Sequence, residues 1–118
     1  MKDKIDILIV DDDVDMAETL SDILTALGIQ VEIAHDGCKA VEKAKAKMFD
    51  IVLMDIKMPV MDGYTAIKLI REKNTKIPII AQTAYADDRE KAIECGCSGF
   101  ISKPFDKKDL FKILFEFI

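Results

Sequence analysis

Short β-branched apolar runs alternate along this chain with longer stretches in which apolar residues return every three or four positions. The runs cover residues 5–10, 30–34, 51–54, 77–81 and 99–102, and each is too short for a buried helix. Three of them, the first, third and fourth, are almost continuously apolar, the mark of parallel strands covered by helices on both faces. Between the first two, Met16, Leu20, Ile23 and Leu27 repeat on one helical face with Ala17 and Leu24 alongside, and Gly28 supplies a stop. The same period predicts helices over residues 37–47, 63–72, 87–95 and 107–118. Turn chemistry separates the elements: Asp36-Gly37, Asn74, Lys76-Ile77-Pro78, Gly96 and Gly99.

A strict βα alternation builds an open parallel sheet with right-handed crossovers, here two helices on one face and three on the other. Every connection is short and no linker or repeat interrupts the pattern, so residues 1–118 read as a single α/β domain. In such folds ligands bind beyond the carboxyl ends of the strands. Composition agrees: 50% hydrophobic and 33% charged residues supply one core and a soluble surface, which excludes a disordered chain. No apolar run approaches the roughly 20 residues that span a bilayer. The start, Met1-Lys2-Asp3-Lys4, lacks the apolar core of a secretory signal, so a cytoplasmic domain without membrane association is expected. Seventeen basic against 22 acidic residues, a net charge of −5 with no basic stripe, argue against direct nucleic-acid binding. Three cysteines and the single His35 fall short of a four-ligand zinc site, leaving ordinary reduced thiols.

The polar residues at the strand ends are therefore the candidate chemistry. Asp11-Asp12-Asp13 follow the first strand, Asp55 the third, Thr83 the fourth and Lys103-Pro104 the fifth. Parallel strands bring all of them to one sheet edge. Carboxylates gathered in one pocket repel one another, and a divalent cation resolves that repulsion. Oxygen-only ligands favour Mg²⁺, or Mn²⁺, over zinc, and Mg²⁺ commonly takes a phosphate oxygen as well.

At these residues the chain resembles the receiver domains of two-component response regulators, in Ile9-Val10-Asp11-Asp12, Leu53-Met54-Asp55-Ile56-Lys57-Met58-Pro59, Thr83-Ala84 and Lys103-Pro104-Phe105. Each motif alone is common; four in this order across the chain form a joint signal. The resemblance implies a flavodoxin-like doubly wound sheet with strand order 2-1-3-4-5. It implies that Asp55 is the phosphoacceptor and nucleophile, taking a phosphoryl group from a phosphohistidine. Asp12 would bind the metal directly and Asp11 mainly through water, with a carboxylate oxygen of Asp55 and the backbone carbonyl of Lys57. Lys103 would pair with Asp55 and then with the phosphoryl group, while the Thr83 hydroxyl and the Ala84 backbone N–H donate to its other oxygens. The Lys103-Pro104 bond is expected to be cis. Thr83 and Phe100 would form the switch; many relatives have Tyr where Phe100 stands, so a packing switch without a hydroxyl is expected. Lys57 and Tyr85 should project over the phosphoryl group and slow its hydrolysis. The domain would turn over only its own phosphoryl group and act on no external substrate.

For other residues the plain reading is stronger. Asp13 and Asp15 are expected to cap the first helix, and Asp62-Gly63 to start the third. In the last helix Leu110, Ile113, Leu114 and Phe117 make a core face, whereas Phe111, Phe115 and Ile118 form a second stripe, expected to meet a homodimer partner or a neighbouring domain. The segment from Pro78 to Ala86 resembles receivers attached to hybrid histidine kinases, which implies a histidine kinase or a histidine phosphotransfer domain as partner. Alternatives stay open: a receiver that docks a protein without phosphorylation, or an enzyme passing through an aspartyl phosphate. The latter places a second acid two residues after the nucleophile, where this chain has Lys57. A flavin site is weaker still, because three acids follow the first strand where a phosphate loop would be needed.

Overall fold

The computed structural model describes residues 4–85 and 87–118; Met1, Lys2, Asp3 and Ala86, which the sequence reading touched, lie outside the described residues. Five strands and five helices alternate: β1 (Asp6–Val10), α1 (Val14–Thr25), β2 (Gln30–Ala34), α2 (Gly37–Ala46), β3 (Ile51–Asp55), α3 (Gly63–Lys73), β4 (Ile79–Thr83), α4 (Asp88–Cys95), β5 (Gly99–Ser102) and α5 (Lys107–Phe115). The strands are all parallel in the order β2-β1-β3-β4-β5, as the resemblance implied.

Alternation along the inner strands divides the interior into two layers. Ile7 and Ile9 of β1, with Ile51 and Leu53 of β3, pack against Ala17, Leu20 and Leu24 of α1 and Leu110 and Leu114 of α5. Leu8, Val10, Val52 and Met54 face the other way, toward α2, α3 and α4. Two helices thus cover one face and three the other. Each large side chain withdrawn from water contributes about 1.5–3 kcal/mol, so both layers hold the sheet.

Several boundaries move for identifiable reasons. The fourth strand starts at Ile79, two residues later than its apolar run, because the Asn74 side chain accepts from the N–H groups of Lys76 and Ile77 and bends the chain there, and Pro78 has no N–H. α1 begins at Val14, where the Asp13 carboxylate accepts from the Met16 N–H, and ends at Thr25 before Gly28 takes a φ of 84°. Its buried stripe is Ala17, Leu20 and Leu24; Met16 and Leu27, expected on that stripe, are exposed. α5 ends at Phe115 and not at Ile118, since the N–H groups of Glu116 and Phe117 close tighter bonds to Ile113 and Leu114. Of the second apolar stripe, Phe111 packs half-buried on the core and stacks with Phe115 at a centroid distance of 6.1 Å. Phe115 and Ile118 are exposed.

No helix among the described residues is long and apolar enough to cross a membrane.

Candidate functional site

Register decides which distant residues meet. Val10 lies beside Met54, so Asp11 and Asp55, one position further on each strand, reach the same level at the carboxyl edge. Asp55 is opposite Gln82, and Thr83 is opposite Ser102, which carries the ladder across to Lys103. Backbone bonds continue past the strand ends: Asp11 N–H donates to Ala34 O at 3.0 Å, Ile56 N–H to Gln82 O at 3.1 Å and Lys103 N–H to Thr83 O at 2.8 Å. The functional side chains therefore stand on backbone that is already fixed.

They surround an open cavity of about 310 Å³ lined by Asp11, Asp12, Asp13, Asp55, Lys57, Thr83, Ala84, Tyr85 and Lys103. Asp11 and Asp55 are buried and Asp12 is exposed, and one carboxylate oxygen from each lies within 4.8 Å of the others. Three oxygens converging this closely, with no sulfur or imidazole among them, make a donor set suited to a hard divalent cation. Lys103 reaches in from β5, its Nζ 3.4 Å from Asp55 Oδ1 and 3.5 Å from Asp11 Oδ2; its peptide bond to Pro104 is cis. Burial drives the Asp55 carboxyl up to about 7; the Lys103 ammonium opposes that rise, and Asp11 reinforces it by repulsion and hydrogen bonding.

Lys57 Nζ lies 5.6 Å from the centroid of the Tyr85 ring, and both residues line the cavity. The Thr83 side chain is buried and engaged away from the acids: its hydroxyl donates to Asp88 Oδ2 at 2.9 Å and accepts from the Tyr85 N–H at 3.3 Å. Phe100 is half-buried on β5, against the layer under α2, α3 and α4. Asp13 and Asp62 are helix caps, as expected, and Asp15 lies in the first turn of α1.

Four contributors were given no role at the site by the sequence alone. Asp88 accepts from Thr83 and also pairs with Lys57 at 3.7 Å; burial alone would raise its carboxyl, yet bonds from the Thr83 and Tyr64 hydroxyls and the Lys57 charge hold it below the ordinary carboxylate value. His35, weighed only as a zinc ligand, donates from Nδ1 to the Asp11 carbonyl at 3.0 Å and so braces the acidic loop. Gly63 lets α3 start directly against the end of β3, since a Cβ there would run into the backbone of Asp55 and Ile56. Gln82 is fully buried across from Asp55, and neither end of its amide has a hydrogen-bond partner among the described residues. Only the motif position of Gly63, after Asp62 at a helix start, carried a local signal; the other three depend on contacts between elements.

Fold and site together define a class: a small doubly wound α/β domain whose carboxyl edge holds three carboxylates and one lysine. The chain belongs to the response regulator receiver domain family, whose model matches residues 7–115. It is 39% identical over 106 residues to the transcriptional regulatory protein ZraR of Klebsiella oxytoca, covering 88% of this chain and 24% of that protein. It is 46% identical over 111 residues to hybrid signal transduction histidine kinase G of Dictyostelium discoideum, covering 88% of this chain and 3% of that kinase. The chain thus spans only a small part of these relatives' length. Among solved structures, the receiver domain of a sensor histidine kinase from Pseudomonas aeruginosa superposes with a TM-score of 0.90 at 35% identity, covering 97% of both chains; that protein holds a magnesium ion coordinated in its active site cleft.

Proposed function

We propose that this domain is the phosphoacceptor of a two-component phosphorelay, with Asp55 taking a phosphoryl group from a phosphohistidine on a histidine kinase or histidine phosphotransfer domain. One observation carries the reading: Asp11, Asp12 and Asp55 converge within 4.8 Å while Lys103 stands 3.4 Å from Asp55. An Asp55 oxygen forms the new O–P bond as the N–P bond to the donor imidazole breaks; the imidazole leaves with that electron pair and takes up a proton. Asp11, Asp12, Asp55 and the Lys57 carbonyl would hold Mg²⁺, which offsets charge build-up on the transferring phosphoryl group. Lys103 supplies a fixed positive charge to one phosphoryl oxygen and so no longer needs Asp55 as its partner. The Ala84 N–H and the Thr83 hydroxyl serve the others, the latter after leaving Asp88. Phe100 then rotates inward toward the space Thr83 vacates, and the equilibrium between two surfaces shifts. Lys57 and Tyr85, over the pocket mouth, shield the acyl phosphate from water and lengthen its life.

The test is intact mass after incubation with acetyl phosphate, with Mg²⁺ or with chelator, on wild type and Asp55→Asn. One added phosphoryl group that needs both Mg²⁺ and Asp55 is expected. No adduct on the wild type under trapping conditions, with Mg²⁺ binding shown separately, would instead make the domain a docking module that works without phosphorylation.

A further inference from the structure

Two donors that line the site, Thr83 and Lys57, are bound to the same carboxylate. Thr83 Oγ1 donates to Asp88 Oδ2 at 2.9 Å, and Lys57 Nζ lies 3.7 Å from Asp88 Oδ1. The Tyr64 hydroxyl of α3 also approaches the Asp88 backbone carbonyl, at 3.5 Å. Asp88 is the first residue of α4, and the preceding Asp87 makes no side-chain cap bond, so contacts made by Asp88 tie the start of that helix to the site. The Asp88 side chain is only 15% exposed, which strengthens what it holds relative to a surface pair.

We infer that Asp88 is a positioning residue that competes with the phosphoryl group for the Thr83 hydroxyl and the Lys57 ammonium, and so holds the unphosphorylated domain and the start of α4 in the resting arrangement. The inference rests on the phosphoacceptor reading above. A carboxylate and a phosphoryl group are both anionic oxygen acceptors, and Thr83 has one proton to donate; it serves one acceptor at a time. Phosphorylation at Asp55 must draw Thr83 off Asp88, and the same event frees the first turn of α4 to move. Asp88 therefore sets the resting bias of the switch and carries the change from the pocket to a helix that faces outward.

Two measurements test this. In the absence of any phosphoryl mimic, three-bond couplings report the Thr83 rotamer by NMR: one rotamer is expected in wild type and in Asp88→Asn, which keeps an acceptor oxygen, and an average of rotamers in Asp88→Ala. Beryllofluoride with Mg²⁺ should then bind Asp88→Ala about tenfold more tightly than wild type, the scale of one hydrogen bond to a charged acceptor. Most of that gain should vanish when the pair is measured on a Thr83→Val background. A Thr83 rotamer indifferent to Asp88→Ala, or an affinity gain that persists undiminished without the hydroxyl, overturns the inference. So does tight binding by the wild type with no gain in Asp88→Ala. Failure of wild type to bind beryllofluoride overturns the phosphoacceptor reading itself, which the rotamer measurement does not depend on.

Discussion

Asp6 and Asp55 are both buried aspartates on neighbouring inner strands of one sheet, yet they live in opposite chemistry. Asp6 opens β1 at the amino edge, where Lys47 from the end of α2 pairs with it at 3.3 Å and with Glu32 at 3.0 Å. Its N–H donates to Asp50, which fixes the starts of β1 and β3 together. Asp55 closes β3 at the carboxyl edge, where the Lys103 ammonium lies against Asp55 and Asp11 and the Asp12 carboxylate joins the same cluster. One edge is electrostatically settled and the other holds an excess of negative charge. The comparison teaches that the imbalance is what the proposed function would use: the carboxyl-edge pocket holds more carboxylate than ammonium, an excess that a bound divalent cation would offset.

The most damaging way to break this contrast is to remove the lysine on each side. Lys103→Met should lower the rate of phosphorylation by acetyl phosphate about a hundredfold or more, because a preorganised charge at the transferring group is lost. The adduct rate by intact mass checks it. Lys47→Met, removing an exposed side chain, should leave that rate unchanged.

A second measurement sharpens the contrast through pH. The folded Asp55 carboxyl is raised, by burial first, above its ordinary value to about 7, so between about pH 4 and 7 the metal-free folded state binds more protons than the unfolded chain. The stability tied to Asp55 is therefore present at low pH and lost as pH rises through 7. Added Mg²⁺ should flatten that decline by favouring the ionised form. Glu32 has the reverse sign: its hydrogen bond with Lys47 lowers it, so its contribution is present above the ordinary carboxylate value and disappears as pH falls below about 4. Urea unfolding across pH in chelator, and again in Mg²⁺, resolves the two.

Smaller still is the expected effect of Gln82→Leu. An unpartnered buried amide beside Asp55 costs stability, and an apolar side chain of similar size should raise it by about 1 kcal/mol. A denaturation midpoint that falls would show that the amide is satisfied. Least of all is the loss of stability from Glu32→Gln, whose pair with Lys47 lies at the surface and should weaken further as salt screens it over a Debye length of about 10 Å at 0.1 M.

Much of this was legible because local physics repeats along the chain. Continuous apolar runs named the inner strands, and Asp13, Asp36 and Asp62 sat where a carboxylate caps a helix. Met16 and Leu27 misled because helix periodicity marks a face without saying how far the covering sheet extends. The two-residue shift of β4 came from the Asn74 turn, which competes locally with strand pairing. The acids, Lys103 and Thr83 were found by their places at strand ends, whereas Asp88, His35 and Gln82 act through partners from other elements and bear no pattern of their own.

The order of residues by itself determined the βα alternation, the two apolar layers and the gathering of Asp11, Asp12, Asp55, Thr83 and Lys103 at one edge, since parallel strands send all their carboxyl ends the same way. Tertiary structure alone decided what each of those groups faces. Register put Asp55 level with Asp11 and opposite Gln82, burial raised its carboxyl, and α4 brought Asp88 to the Thr83 hydroxyl. The physical reason is range: periodicity and capping act over a few residues, while desolvation and hydrogen bonding between elements exist only once the sheet and helices have packed.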